Sequence, residues 1–475
     1  MSAPAPNDTP ASAPAAFSRR IPLLVASAFF METLDSTIVT TALPAIAASF
    51  QVTTLSLSLS ISAYLVALAV FVPTAGWASE RFGARRLFAC AIALFTLASL
   101  LCAVSPGMWS FIAARTLQGM AAAFMSPVGR LVVLRSTPKQ QLIEAIALIT
   151  WPGLIGPVLG PPLGGLITTY ASWHWIFLIN LPIGLAGVWL VLRHVPDDPA
   201  STPAPFDGRG FALTAVALAA LVHGLASVGE RQGHPASALG WLALAAVAGA
   251  LALRHALRHP TPMLDLRAAR VPTFALSMLT AGMLARVAIS ATPFLLPLMF
   301  QIGFGLDAFR AGVMLLVYMG GNLAMKSATT PVLRHFGFRR VLTVNGALCA
   351  ACMAGCGLLA PGVSPLLVYP LLFAAGMTRS MQFTTVSALA FADVAAGQRP
   401  GATALATMTQ QIAMLLGVAF AALALALLRN ARGGEALALA DFQHALLAAA
   451  ALMALAAAWA LRLAPDAGIE VSRKA

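Results

Sequence analysis

Two carboxylates stand inside a long apolar stretch near the start of the chain, Glu32 and Asp35. Their spacing of three puts both on one face of a helix. No other acid lies deep in an apolar run, and Glu144, at the edge of one, reads as interfacial. A charge at the middle of a bilayer costs ~3 kcal/mol or more, so a residue placed there is a functional candidate by default. A buried carboxyl changes its proton affinity when a cation moves toward or away from it. Arg115, in a separate apolar run, is the natural cationic partner. The reading is a proton-coupling group of Asp35, Glu32 and Arg115, in which Asp35 takes up the proton and Arg115 modulates it. The competing reading is a structural buried ion pair.

Four more cations interrupt apolar runs: Arg130, Arg286, Lys326 and Arg379. Arg130 is near the end of its run and can snorkel to the surface. The other three lie in the second half, which has no deep acid. Unpaired cations in hydrocarbon are untenable, so they must meet a wet cavity, carbonyls, the first-half acids or an anion. One expectation is an anion-attracting substrate cavity lined by Arg286, Arg379 and Lys326, with Gln118 from the first half. The other is pairing across the bundle and snorkelling.

Glycine and proline crowd a third region: Gly153, Gly156-Pro157, Gly160-Pro161 and Gly164-Gly165. Glycines 156, 160 and 164 recur every four residues and let a neighbouring backbone approach closely. Pro157 and Pro161 each remove a donor and bend the helix. A tightly packed, kinked helix of any function would read the same way. A polar loop, Gly76-Trp77-Ala78-Ser79-Glu80-Arg81-Phe82-Gly83-Ala84-Arg85-Arg86, separates two apolar runs. Its glycines, Gly76 and Gly83, permit a tight turn. Glu80 and the arginines 81, 85 and 86 can pair with each other and with helix ends, as a latch between two bundles. The bland alternative is an ordinary basic loop. Against that stands a repeat: Arg81-Phe82-Gly83-Ala84-Arg85-Arg86-Leu87 returns 254 residues later as His335-Phe336-Gly337-Phe338-Arg339-Arg340-Val341.

The elements that hold these residues follow from composition. The 475 residues are 59% hydrophobic and only 9% charged, with a mean hydropathy of +0.85. That excludes a water-soluble enzyme and a disordered chain. Apolar runs broken by short polar segments give fourteen spans between residues 21 and 463, each near the ~20 residues a bilayer needs. With the N-terminus inside, twenty of the 29 Lys and Arg residues fall on inside segments, four on outside loops and five within spans. That split follows the positive-inside rule and places both termini in the cytoplasm. The repeated loops lie eight spans apart, where duplicated six-helix halves would put them six apart, so two extra helices stand between the halves. The expected fold is an all-α integral membrane protein of two six-helix bundles plus two additional central helices. Residues 1–18 form a disordered cytoplasmic tail, 19–192 the first bundle, 193–271 a linker with the two extra helices, and 272–475 the second bundle with a cytoplasmic tail. Ser18-Arg19-Arg20 is not a twin-arginine signal, because the apolar stretch behind it is too long and holds Glu32 and Asp35.

Several function classes find no support. The net charge of +13 is spread between apolar runs and never forms a stripe, so no nucleic-acid partner is expected. Five cysteines make no disulfide framework. Cys349, Cys352 and Cys356 have ligand-like spacing but sit in an apolar run and read as small packing residues. Arg254, His255, Arg258 and His259 read as an interfacial cluster, not a metal site. No Gly-rich loop ends in Gly-Lys-Ser/Thr, so ATP-driven transport has no footing. No metal, cofactor or catalytic constellation is expected.

The polar loop resembles the signature loop of the major facilitator superfamily. Further matches are Leu34-Asp35-Ser36-Thr37-Ile38-Val39, Ala42-Leu43-Pro44, Arg115-Thr116-Leu117-Gln118-Gly119, the glycine–proline series, and Trp173-His174-Trp175-Ile176-Phe177-Leu178-Ile179-Asn180-Leu181-Pro182-Ile183-Gly184. Together, over nearly the whole chain, these resemble the fourteen-helix drug:proton antiporters, and within them the MdtD-like multidrug resistance branch. Glu80 departs from the pattern, which usually has Asp there. The resemblance implies alternating access, a coupling role for Arg115, and a glycine–proline series that lets the halves rock without a leak. It implies a monomeric multidrug exporter in a bacterial inner membrane, whose partners are a small-molecule substrate, protons and the lipid bilayer. Two rivals remain: a proton-coupled exporter of anionic metabolites or metal chelates, and a non-transporting membrane sensor on the same fold.

Overall fold

A computed structural model describes residues 19–138, 141–197, 205–229, 235–395, 398–465 and 467–468. The expected tail, 1–18, and the basic positions Lys139, Arg231, Arg473 and Lys474 lie outside the described residues. Within a bilayer every backbone group has to be satisfied inside its own segment, and the chain answers with helices. They are α1 (Arg20–Ser49), α2 (Thr54–Phe71), α3 (Ala84–Ala103), α4 (Met108–Ser136), α5 (Leu142–Tyr170), α6 (Asn180–His194), α7 (Gly208–Val228), α8 (Pro235–Arg258) and α9 (Ala281–Leu298). The helical stretch Ala308–Gly357 breaks at Gly337 into α10 (308–336) and α11 (338–357). Then come α12 (Pro365–Ala392), α13 (Arg399–Ala431) and α14 (Leu439–Trp459).

Twelve described stretches are long and apolar enough to cross a membrane, with Ala308–Gly357 counted once and α12 not among them. α12 has 28 residues, about 42 Å at 1.5 Å per residue, and a polar centre around Arg379 and Gln382. Dividing the long stretch at Gly337 and adding α12 is consistent with fourteen crossings. Side-chain caps start several helices: Thr53 accepts from Ser56 N–H before α2, Asp207 from Gly210 N–H before α7, and Asp307 from Arg310 N–H before α10.

The repeated sequence has a repeated conformation. Gly83 turns the chain between the end of α2's extension (Ala75–Phe82) and α3 with φ 81°, and Gly337 does the same between α10 and α11 with φ 74°. Both angles lie in the left-handed region that favours glycine. Gly76, in contrast, is inside the helix Ala75–Phe82 and takes no part in the turn.

In the first half α1 packs on α5, α4 on α2 and α3, and α6 on α3. In the second, α12 packs on the Ala308–Gly357 stretch, and α14 on that stretch and α9; α13 packs on α9. The halves meet where α5 faces α10 and α2 faces α13. α7 and α8 form a hairpin, and α7 rests on α2 and α13. These two helices are therefore central in sequence but flank the α2–α13 seam, with Leu239, Val247 and Leu253 of α8 exposed as lipid would require.

Candidate functional site

α1, α3, α4 and α6 converge on Asp35. Arg115 Nη1 of α4 donates to Asp35 Oδ2 at 2.6 Å, and both side chains are essentially buried, at 1% and 0% exposure. Gln118, one helical turn beyond Arg115, donates from Nε2 to Asp35 Oδ1 at 2.9 Å and to Ser99 Oγ at 2.8 Å. Its own Oε1 accepts from Arg115 Nη1. Asn180, the first residue of α6, donates to Asp35 Oδ1 at 3.1 Å and to Ser99 Oγ at 3.2 Å. The Tyr64 ring of α2 lies 4.4 Å from the Arg115 guanidinium carbon and closes the site with a π-face. A carboxylate held by a guanidinium and two amides is satisfied in its charged form, which is what a buried charge needs.

The structure therefore joins Asp35 to Arg115, while Glu32, still in electrostatic range of Asp35, makes no hydrogen bond to either. Glu32 Oε2 instead accepts from Ser126 Oγ of α4 at 2.7 Å, in electrostatic range of Arg130. Gln118 belongs to this network and not to a substrate cavity: it is fully buried. Two partners escaped the sequence reading, Ser99 and Asn180. The signal for Asn180 was a lone amide in an otherwise apolar run, already inside the Trp173–Gly184 motif.

The glycine face of α5 does what its spacing predicts. A Cβ at Gly156, Gly160 or Gly164 would collide with Thr33, Thr37 or Ile38 of α1, immediately around Asp35. Gly165 faces the Ala308 backbone of α10, and Gly312 of α10 faces the Pro161 carbonyl. One helix thus carries the carboxylate's helix on one side and the other half of the molecule on the next. Gly153 meets nothing within 4 Å and is not part of the contact. Pro157 and Pro161 are accommodated within a continuous helix.

The latch residues are arranged otherwise than expected. Glu80 and Arg81 are exposed and form no ion pair among the described residues. Arg85 and Arg86, beyond the Gly83 turn, face Asp197 at 3.7 and 3.9 Å, and Arg85 also donates to the Leu192 carbonyl. The physical reason is the turn itself: it leaves Glu80 on one helix and the two arginines at the head of the next. Among the described residues, the hydrogen bonds that join the two halves lie at the face opposite the termini. There Gln301 Nε2 donates to the Thr41 carbonyl at 3.0 Å and Phe309 N–H to Thr169 Oγ1 at 3.2 Å.

The second-half cations gather around α12. Arg286 donates to the Ser277 carbonyl at 2.8 Å and Ser387 Oγ at 3.1 Å, with its guanidinium over Phe383. It is 1% exposed, so it does not line an open cavity. Lys326 donates to Thr384 Oγ1 at 2.9 Å, and Arg379 lies against Met319 Sδ and the Tyr318 ring. Both are partly exposed. No acid among the described residues pairs with any of the three, and the Nε atoms of Arg286 and Arg379 are buried without a partner.

Two halves of packed helices, a glycine-lined seam and a buried ion pair on the first helix define a multi-pass membrane protein of transporter architecture. The chain belongs to the Major Facilitator Superfamily, whose sequence profile matches residues 25–418. Among its relatives is a protein of Pectobacterium carotovorum subsp. carotovorum that carries the provisional name multidrug resistance protein MdtD. The two are 40% identical over 407 residues, covering 85% of this chain and 86% of the relative. A protein of the same name from Escherichia coli O6:H1 is 39% identical over 408 residues, 85% of each chain. In fold, the chain is similar to the POT family transporter PepTSo, with TM-score 0.68 and 12% identity over 94% of this chain and 97% of that one. It is similar also to the inward-open xylose transporter XylE from E. coli, with TM-score 0.62 and 14% identity over 93% and 95%.

Proposed function

We propose that this protein is a proton-coupled efflux transporter, an antiporter that exports small molecules of the multidrug class by alternating access. The bundles 19–192 and 272–475 would rock about a midplane site, with 193–271 carrying the two flanking helices. Its membrane would be the bacterial inner membrane, with both termini in the cytoplasm. The observation that carries the reading is the buried Asp35–Arg115 pair at 2.6 Å, whose carboxylate stands on α1, the helix that packs against the α5 glycines, while Gly165 of α5 meets α10 in the other half. A proton delivered to Asp35 removes the charge that holds Arg115 Nη1, so the guanidinium is released toward Gln118 and Tyr64. Loss of the proton re-forms the pair. Because α1 packs on α5 through glycines 156, 160 and 164, a shift of α1 at Asp35 is passed to the α5–α10 contact. Among the described residues, the hydrogen bonds between the halves lie at the face opposite the termini, and Glu80 and Arg81 form no ion pair at the other.

The test is reconstitution in liposomes with an imposed pH gradient and a panel of cationic dyes and organic acids. Wild type should exchange substrate for protons, and Asp35→Asn should lose gradient-driven transport. Gradient-driven transport by Asp35→Asn at the wild-type rate would overturn the assignment. A second reading, export of anionic metabolites or metal chelates, is favoured by Lys326 and Arg379, two partly exposed cations with no acidic partner among the described residues. It predicts that Arg379→Gln weakens transport of organic acids more than of cationic dyes.

A further inference from the structure

At the termini-side end of the α7–α8 hairpin, three side chains able to bind a metal converge. Asp207 caps α7, His255 lies in the last turn of α8, and His259 follows just beyond it. One donor atom from each lies within 4.8 Å of the other two. His255 Nε2 is 2.7 Å from Asp207 Oδ1, and the two imidazole rings are 4.8 Å apart and tilted by 32°. Asp207 is 8% exposed, and both histidines are half-buried. The sequence alone offers only two histidines four residues apart. The carboxylate stands 48 residues before His255 and joins them because the hairpin closes.

Two imidazoles and one carboxylate are the donor set of a borderline divalent cation, zinc above all, with cobalt and nickel behind it. Magnesium and calcium want oxygen throughout. Neighbouring ligand atoms around tetrahedral zinc stand roughly 3.3 Å apart, given bonds of ~2.0 Å. The three groups are therefore within about 1.5 Å of that arrangement. Surrounding backbone orients the ligands: Gly210 N–H donates to Asp207 Oδ1 at 2.9 Å and Met263 N–H to Oδ2 at 3.1 Å. Thr261 N–H donates to His259 Nδ1 at 3.3 Å, a contact that gives way when the ring takes a metal. The last carbonyls of α8 add the negative end of a helix dipole, which favours a cation.

We infer that Asp207, His255 and His259 form a binding site for a zinc-class divalent cation, with a fourth position open to water. The bound ion clamps the two ends of the α7–α8 hairpin to the segment at Met263 that leads into the second half. This site stands apart from the Asp35 network and does not depend on the efflux reading.

The test uses the full-length protein, purified without a polyhistidine tag and stripped with a chelator. Cobalt titration followed by its visible absorption bands, then displacement by zinc, reads the site directly. Wild type should bind one cobalt per chain, yield it to zinc, and melt at a higher temperature with zinc than without. His259→Gln, which alters a side chain beyond the end of α8, should weaken binding by about 10-fold or more. The double variant H255Q/H259Q should abolish it. Absence of saturable binding by folded wild type overturns the inference, as does undiminished affinity in His259→Gln. Equal affinity for magnesium overturns the zinc-class assignment.

Discussion

Replacing Asp35 by asparagine and Arg115 by glutamine, singly and together, separates what the pair does for the fold from what it does for coupling. Both side chains are almost wholly out of solvent, and Asp35 receives Arg115 Nη1 at 2.6 Å, Gln118 Nε2 at 2.9 Å and Asn180 Nδ2 at 3.1 Å. Removing one member of a buried pair leaves the other charge uncompensated, at a cost of about 3–5 kcal/mol. Asparagine at 35 keeps one acceptor oxygen but turns an NH₂ group toward two amide donors, so its cost should fall well inside that range. Glutamine at 115 leaves the carboxylate with the Gln118 and Asn180 amides, so about 3 kcal/mol is the better figure there. The double variant has no buried charge to strand. Its cost should be below the sum of the singles by about 2 kcal/mol or more, a coupling energy typical of residues in one network. Thermal melting of the four proteins in detergent measures the cycle, and gradient-driven transport in liposomes is read in parallel. The prediction is that Asp35→Asn/Arg115→Gln recovers stability and not transport. Additive stability losses, or a double variant that again couples transport to the gradient, would refute the reasoning.

Further predictions follow from the same geometry. Gly160→Leu drives a side chain into Thr37, and overpacking of this kind costs ~1–3 kcal/mol; transport should fall at least tenfold. Gly153→Ala, with nothing within 4 Å, should be tolerated and gain up to ~1 kcal/mol of helix stability, and melting curves distinguish the two variants. Arg85→Ala removes a partly exposed pair with Asp197, so its melting point should shift by less than ~1 kcal/mol allows while transport kinetics change more. The Arg267 guanidinium, bonded to Asp265, holds that carboxyl below its ordinary range against the opposing effect of burial. A lowered carboxyl contributes stability above its unfolded pKa and loses it as the pH falls through the lower folded value. Protection of the Arg267 amide, measured as exchange relative to its intrinsic rate and resting on its bond to Asp265 Oδ1 at 2.9 Å, should therefore fall only below about pH 4. Asp265→Ala, which has no acceptor, should lack that protection at every pH.

Most of the fold is legible in the chain because a bilayer leaves so few solutions. Long apolar runs become helices, and the Gly83 and Gly337 sequences adopt the same turn because both need a left-handed residue between two helices. The Asp35–Arg115 pairing was readable for the same reason: two opposite charges in hydrocarbon have few alternatives to each other. What was not legible is who else shares a site. Gln118 was expected in a cavity, since its spacing on α4 does not say which neighbour it faces. Ser99 and Asn180 were invisible as partners until α3 and α6 were packed around α1. Glu80 looked paired with arginines five and six residues away, but the turn at Gly83 parts them. Arg286 looked like a cavity residue, although a carbonyl nine residues before it takes the charge. His255 and His259 looked like surface charge because Asp207 was missing from the picture.

Proton release on substrate binding is the most direct measure of the central claim. Weakly buffered, detergent-solubilised protein is mixed with a transported dye, and the pH change is followed with an indicator. If Asp35 exchanges its proton for substrate, wild type should release up to one proton per site, and Asp35→Asn should bind the dye and release none. Equal proton release from both proteins would contradict the account.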